Sequence, residues 1–166
     1  MYWYGPPVSD IRPEDLDLTV LAAIAGAAAG DAVLAGLHDA GYPGVRAGHG
    51  YVVQVLLRDS PTVGELALEL GVSQQAVSKT VGELERLGHV TRRPAPEDAR
   101  VRRIELTDRG RGLVEETRAR RAALVDRVRA AVGSEPLEAA SRALVALLDA
   151  AGAREQVVAR RVRPPG

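Results

Sequence analysis

The stretch HVTRRPAPEDARVRRIELT, residues 89–107, decides the fold. Its two ends, HVTRR and RVRRIEL, are short, β-branched and alternating, and PAPEDA between them has the prolines and acids of a loop. In the second run Val101, Arg103 and Glu105 point one way, and Arg102, Ile104 and Leu106 the other. The pattern predicts a two-stranded hairpin. It also crowds Arg100, Arg102 and Arg103 into one loop and strand of a chain whose formal net charge is zero.

The preceding residues, TVGELALELGVSQQAVSKTVGELERLG (62–88), read as two helices. Thr62 is placed to cap the first, with Glu65 as its capping-box partner, and Leu66, Ala67 and Leu70 form an apolar face. Gly71 supplies a left-handed turn residue. Ser73 then caps a second helix with an apolar stripe at Val77, Val81 and Leu84, and Gly88 ends it. Two amphipathic helices meeting at a glycine occur in many helical proteins. Followed directly by a hairpin, they make a winged helix-turn-helix.

Outward from this centre, MYWYGPPVSD at residues 1–10 is an irregular arm, since its prolines break helix. A long alanine-rich helix is expected from Asp15 to Leu37, with an interruption at Gly26 or Gly30. AGYPG (40–44) is a turn, and GYVVQVLLRDSP gives a helix ending near Arg58. Thr107 caps a helix over 108–132, with Leu113, Val114, Thr117, Leu124 and Val128 as apolar members. Gly133 stops it, and Ser134 is expected to cap the next, whose stripe is Leu137, Ala140, Leu144, Leu147, Leu148 and Ala151. The expected organisation is an arm and dimerisation helix at 1–45, a winged helix at 46–107, and dimerisation helices with a basic tail at 108–166. The fold class is mainly α with a small β-hairpin wing. The flanking apolar stripes exceed what a small winged helix covers, which predicts a homodimer.

Composition narrows the function classes. The chain has no cysteine, which excludes disulfides and thiolate metal sites. His38, His49 and His89 lack metal-ligand spacing, so neither metal nor cofactor is expected. GHGYVV has too few glycines for a dinucleotide loop and no preceding strand, so no enzyme is expected. The apolar run Leu18–Gly30 falls short of the roughly 18 residues that span a bilayer, and acids precede it. A cytoplasmic, nucleoid-associated protein without membrane contact is the expectation. Charge is graded along the chain: residues 1–70 carry a net −6, residues 71–103 a net +3 and residues 104–166 a net +3. Such asymmetry points to nucleic acid or a membrane surface.

Residues 65–110, ELALELGVSQQAVSKTVGELERLGHVTRRPAPEDARVRRIELTDRG, resemble the multiple-antibiotic-resistance-regulator (MarR) family of bacterial transcription factors. The most specific element is the wing, Asp98-x-Arg100 followed by Leu106-Thr107 and Gly110. The resemblance implies that Asp98 braces the wing and that Arg100 enters a DNA minor groove. It matches SQQAVSKTV to a recognition helix, with Lys79 where the family often has Arg or Lys. Gly82 departs from the family's usual polar residue, which implies a softer helix or close approach to a phosphate. The resemblance also implies a small aromatic or anionic effector near His38, Tyr42, Arg46, His49 and Tyr51.

The physical chemistry of the residues points the same way. With Val77, Val81 and Leu84 buried, the opposite helix face carries Gln75, Ser78, Lys79 and Gly82, with Gln74 at the tip. Glutamine bonds adenine through N6 and N7, and lysine takes guanine or a phosphate. Arg100 suits a narrow minor groove, flanked by Arg92, Arg102 and Arg103 for phosphates. Ser73, Gln74, Gln75, Ser78, Lys79, Arg92, Arg100 and Arg102 are the candidate DNA contacts. Plainer readings stand beside them: Ser73 as a cap only, Asp98 as a turn residue, the glutamines as solvated surface. The expected function is sequence-specific DNA binding by a homodimeric regulator, a repressor on a palindromic operator released by a small ligand. The alternative is a winged helix used for protein interaction.

Overall fold

Local chemistry sets the helix-turn-helix. Thr62 accepts a hydrogen bond from the Glu65 amide at 3.3 Å, and the Glu65 carboxylate accepts one from the Thr62 amide at 2.7 Å. This reciprocal box opens α3, Val63–Leu70. Gly71 ends it with φ of +66°, a conformation that costs glycine little and other residues a good deal. Two residues later Ser73 accepts from the Ala76 amide at 3.2 Å and starts α4, Gln74–Arg86. Both caps expected for the helix-turn-helix are in place.

The computed structural model describes residues 12–96 and 98–154. The expected irregular arm and the basic tail beyond residue 154 lie outside the described residues, as does Glu97. The remaining elements are a short 3-10 helix (Pro13–Asp15), α1 (Leu18–Asp39), α2 (Ala47–Leu56), β1 (Val90–Pro94), β2 (Arg102–Leu106), α5 (Asp108–Val132) and α6 (Ser134–Ala150). The architecture is mainly helical with one antiparallel hairpin, in register Val90↔Leu106 through Pro94↔Arg102. Ile104 and Leu106 face inward, as the alternation required.

Two cores follow from the periodicities. The larger joins Val52, Val53, Val55 and Leu56 of α2 to Leu66 and Leu70 of α3 and Val77, Val81 and Leu84 of α4, closed by Val90, Ile104, Leu106 and Val114. The smaller joins Val33 and Leu37 of α1 to Val45 and to Leu113 of α5. The wing is anchored at its base: the Ile104 amide donates to the Pro61 carbonyl at 2.9 Å, and the Arg103 guanidinium donates to the Ser60 carbonyl at 3.0 Å.

Several expectations are corrected. α1 starts at Leu18 rather than Asp15, because Asp17 accepts from the amides of Thr19 and Val20 at 2.8 and 3.1 Å and caps it there. It runs unbroken through Gly26 and Gly30, carried by the alanines around them. The apolar run therefore does not stop at Gly30. The whole 22-residue helix is long and apolar enough to cross a membrane by length and composition, with a mean hydropathy of 1.9 over its best window. Ser134 makes no capping bond; Gly133 is the cap residue of α6. Ser134 is already the first helical residue, past the position from which a hydroxyl serves the orphan amides. Of the expected α5 stripe only Leu113 and Val114 are buried, with Gly110 beside them.

Candidate nucleic-acid interface

α4 has one dry side and one wet side. Val77, Val81 and Leu84 are buried at 2%, 0% and 0% exposure, while Gln74, Gln75, Ser78 and Lys79 are exposed. Gln74 differs from the others: a methyl at Gly64 would lie 3.5 Å from its amide nitrogen, so Gln74 rests against α3. Gln75 and Lys79 are one turn apart on the face opposite the core, with Ser78 beside them. Ser73 is spent on the helix cap. Arg86, in the last turn, lies on the same outward face, and the sequence reading stopped short of it at Gly82. Its helical spacing from Lys79, seven residues on, is the signal that finds it.

The acids of α4 are turned away from this face. Glu83 accepts from His49 Nε2 at 3.1 Å and pairs with Arg46 at 3.5 Å. The hydrogen bond from His49, with smaller help from Arg46, holds the Glu83 carboxyl below its ordinary range. Glu85 pairs with Arg92 Nε of β1 at 3.4 Å. Arg92, expected among the phosphate contacts, is thus engaged by an acid of its own chain.

The wing is built around Asp98. Its carboxylate accepts from the Arg100 amide at 2.8 Å, its carbonyl accepts from the Val101 amide at 3.0 Å, and the Ala95 amide donates to the Val101 carbonyl at 2.9 Å. Asp98 therefore braces the loop backbone, not an arginine side chain, and in doing so fixes where the Arg100 side chain starts. Arg100 and Arg102 are exposed and have no ion pair among the described residues. Arg93 is tied across the hairpin to Glu105 at 3.2 Å, and Arg103 lies 3.9 Å from Glu65.

The effector candidates have other partners. His38 Nε2 lies 2.9 Å from the Val45 carbonyl. His49, 3% exposed, accepts from the Arg46 amide at 3.3 Å through Nδ1 and meets Glu83 through Nε2. Tyr51 is half-buried against the larger core. A hollow of about 210 Å³ between α1 and α5, lined by Val33, Gly36, Arg120, Leu124 and Arg127, includes none of them.

Sequence reasoning gave His89 no role. It is fully buried at the junction of α4, β1 and α5, and neither ring nitrogen has a hydrogen-bond partner among the described residues. Its ring lies 5.8 Å from that of Tyr42, over which the Arg109 guanidinium sits at 5.2 Å. Burial lowers its pKa from the ordinary 6.5, and the charges of Arg109 and His49 lower it further. A histidine held neutral by the fold contributes stability above its unfolded pKa, and that contribution is lost as pH falls through the folded value. Stability should therefore decline as pH drops below about 6.5. His89→Leu should lose less over the same interval, measured by denaturant unfolding at pH 7 and pH 5. An equal loss in both proteins would assign the acid sensitivity elsewhere.

Comparison with known proteins gives this geometry a family. Residues 44–101 match the family model for the MarR family. No curated protein matches the chain. Among solved structures, the YusO protein from Bacillus subtilis is 24% identical, with a TM-score of 0.66, covering 81% of this chain and 94% of its own. The transcriptional regulator Tm0710 from Thermotoga maritima is 25% identical, with a TM-score of 0.57, covering 85% and 95%. A point mutant of MepR from S. aureus, in a structure bound to an oligodeoxyribonucleotide, is 19% identical, with a TM-score of 0.62, covering 82% and 99%. The chain thus shares its fold with these solved structures, and its winged-helix segment, residues 44–101, is similar to the MarR family.

Proposed function

We propose that the chain is a DNA-binding transcription regulator acting as a homodimer on palindromic duplex DNA. One observation carries this most directly: an exposed helix face bearing Gln75 and Lys79 is followed by a braced wing that presents Arg100 and Arg102 without acidic partners among the described residues. A two-fold dimer placing one such helix in each major groove needs half-sites about one helical turn apart. In this reading Gln75 contacts a base edge, Arg100 enters the minor groove, and Arg102 meets phosphate. Asp98 holds the wing, and Ser73 fixes the start of the reading helix. The protein acts in the cytoplasm as a repressor, and a small aromatic or anionic effector releases it, as the family resemblance implies.

Two substitutions test the assignment because they should fail differently. Arg100→Ala removes a charge, so it should weaken every duplex and reduce the salt slope of log K by about 0.9. Gln75→Ala removes no charge. It should cost on the order of 1–3 kcal/mol on the preferred duplex and little on random sequence. Both should keep the thermal stability of the parent, since neither side chain belongs to the core. Equal weakening of both duplexes by Gln75→Ala would rotate the reading face away from Gln75. A wild-type affinity that is flat between low and physiological salt would favour a protein-interaction module.

A further inference from the structure

On α4 the free cations and the engaged acids lie on different sides. At 3.6 residues per turn, Gln75, Lys79, Gly82 and Arg86 fall within about 60° of one another, opposite the buried stripe. Glu83 and Glu85 closely precede Arg86 in the chain, yet Glu83 is held by His49 and Arg46 of the α2 segment and Glu85 is paired with Arg92 of β1. Lys79 and Arg86 are left outward, with no ion pair within 4.0 Å among the described residues. Between them Gly82 presents bare helix backbone. A Cβ placed there meets nothing within 4 Å, so nothing in the chain itself requires a glycine. Glycine inside a helix is also unfavourable on its own account.

We infer that a DNA strand crosses α4 at Gly82, with a phosphate seated on the bare backbone between Lys79 and Arg86. This rests on the DNA-binding function proposed above. Charge selects the occupant: Lys79 and Arg86, with no ion pair within 4.0 Å among the described residues, bracket a gap that offers no apolar side chain to a peptide, and the nearby Glu83 and Glu85 are engaged by His49, Arg46 and Arg92. Length supports it. Lys79 and Arg86 are about 10 Å apart along the helix axis, a span that two long side chains close upon from both ends. Gln75 and Arg86 are about 16 Å apart, more than the roughly 12 Å width of the major groove. A helix crossing the groove with Gln75 at the bases therefore brings its C-terminal half up to the sugar–phosphate wall. Lys79 is then a phosphate contact and not a guanine reader.

The test uses the full chain, a duplex selected from a random pool by the wild-type protein, and a random-sequence duplex. Gly82→Ala should raise Tm by about 2–4 °C, because alanine is the better helix residue. The same variant should weaken both duplexes alike, on the order of tenfold, because the methyl occupies the seat. Arg86→Ala should weaken both duplexes and lower the salt slope by about 0.9. The inference is overturned if Gly82→Ala binds like wild type, if it weakens only the selected duplex, or if Arg86→Ala leaves the salt slope unchanged. Should Gly82→Ala lower Tm, the Arg86→Ala slope decides alone. Wild-type protein without salt-sensitive duplex binding would instead remove the DNA-binding function itself, a result separable from any behaviour of the variants.

Discussion

Gly110→Ala is expected to destabilise the protein by about 3 kcal/mol or more, at or beyond the upper end of the roughly 0.5–3 kcal/mol that most substitutions cost. A Cβ at this position would overlap the His89 carbonyl oxygen, sit 3.0 Å from the His89 carbonyl carbon and 3.2 Å from Leu106 Cδ2. The obstacle is backbone, and that backbone is pinned. The His89 carbonyl accepts from the Thr107 amide at 3.0 Å, the Thr107 hydroxyl donates to the Gly88 carbonyl at 2.6 Å, and the Gly110 amide donates to that hydroxyl at 3.0 Å. Relief would mean pulling the first turn of α5 away from the α4–β1 junction. The wing and the recognition helix meet there, so the loss should extend to DNA binding. In Tm the cost is about 10 °C or more for a chain of this size. Gly112→Ala is the control: a Cβ there meets only the Tyr42 hydroxyl at 2.7 Å, the far end of a side chain able to swing aside. If Gly110→Ala melts with the wild type, or no lower than Gly112→Ala, the junction is looser than its hydrogen bonds describe.

The same junction shows what was legible in the sequence and what was not. Thr62, Glu65, Gly71, Ser73 and Thr107 declared themselves because caps and left-handed turns depend on chemistry within four residues. The hairpin was legible from strict alternation around PAPEDA, and the buried face of α4 from its 3.6-residue period. Gly110 was visible only as part of a motif; its reason, a carbonyl 21 residues earlier in the chain, is tertiary. So are the bonds from His49 to Glu83 and from Arg92 to Glu85, which removed Arg92 from the free cations and cleared the outer face of α4. Charge counting along the chain cannot separate an arginine waiting for phosphate from one already paired. Arg86 was within reach of periodicity, but two neighbouring glutamates disguised it as ordinary helix-end charge. Ser134 was misplaced by one residue, the usual slip where a glycine and a serine compete to begin a helix.

Leu144→Arg is expected to abolish the dimer, and with it tight binding to a palindrome, while leaving the fold of the single chain intact. Leu144 is 44% exposed, and no residue of α6 is buried, so an arginine there costs an isolated chain almost nothing. The same side chain belongs to a wider apolar surface: Leu18, Val20, Leu21 and Ile24 on α1, Val125, Val128 and Val132 on α5, and Val145 on α6 are all at least 38% exposed. α1 is apolar nearly all round, yet only Val33 and Leu37 at its C-terminal end are buried. Helices of that composition are covered in a finished structure. In the proposed homodimer a second copy would cover these surfaces, and covering a large aliphatic side chain from full exposure is worth about 1.5–3 kcal/mol. An arginine placed in that seam must shed its water without a partner. Sedimentation at micromolar concentration should show a dimer for the wild type and a folded monomer for Leu144→Arg, with unchanged helix content by circular dichroism. Affinity for a single half-site should be kept, and the gain from the second half-site lost. A wild-type protein that is already monomeric, or a variant that remains dimeric, would leave α1, α5 and α6 in need of a different cover. The length and hydropathy of α1 then name the next candidate: a membrane, tested by partition of the wild-type chain into lipid vesicles.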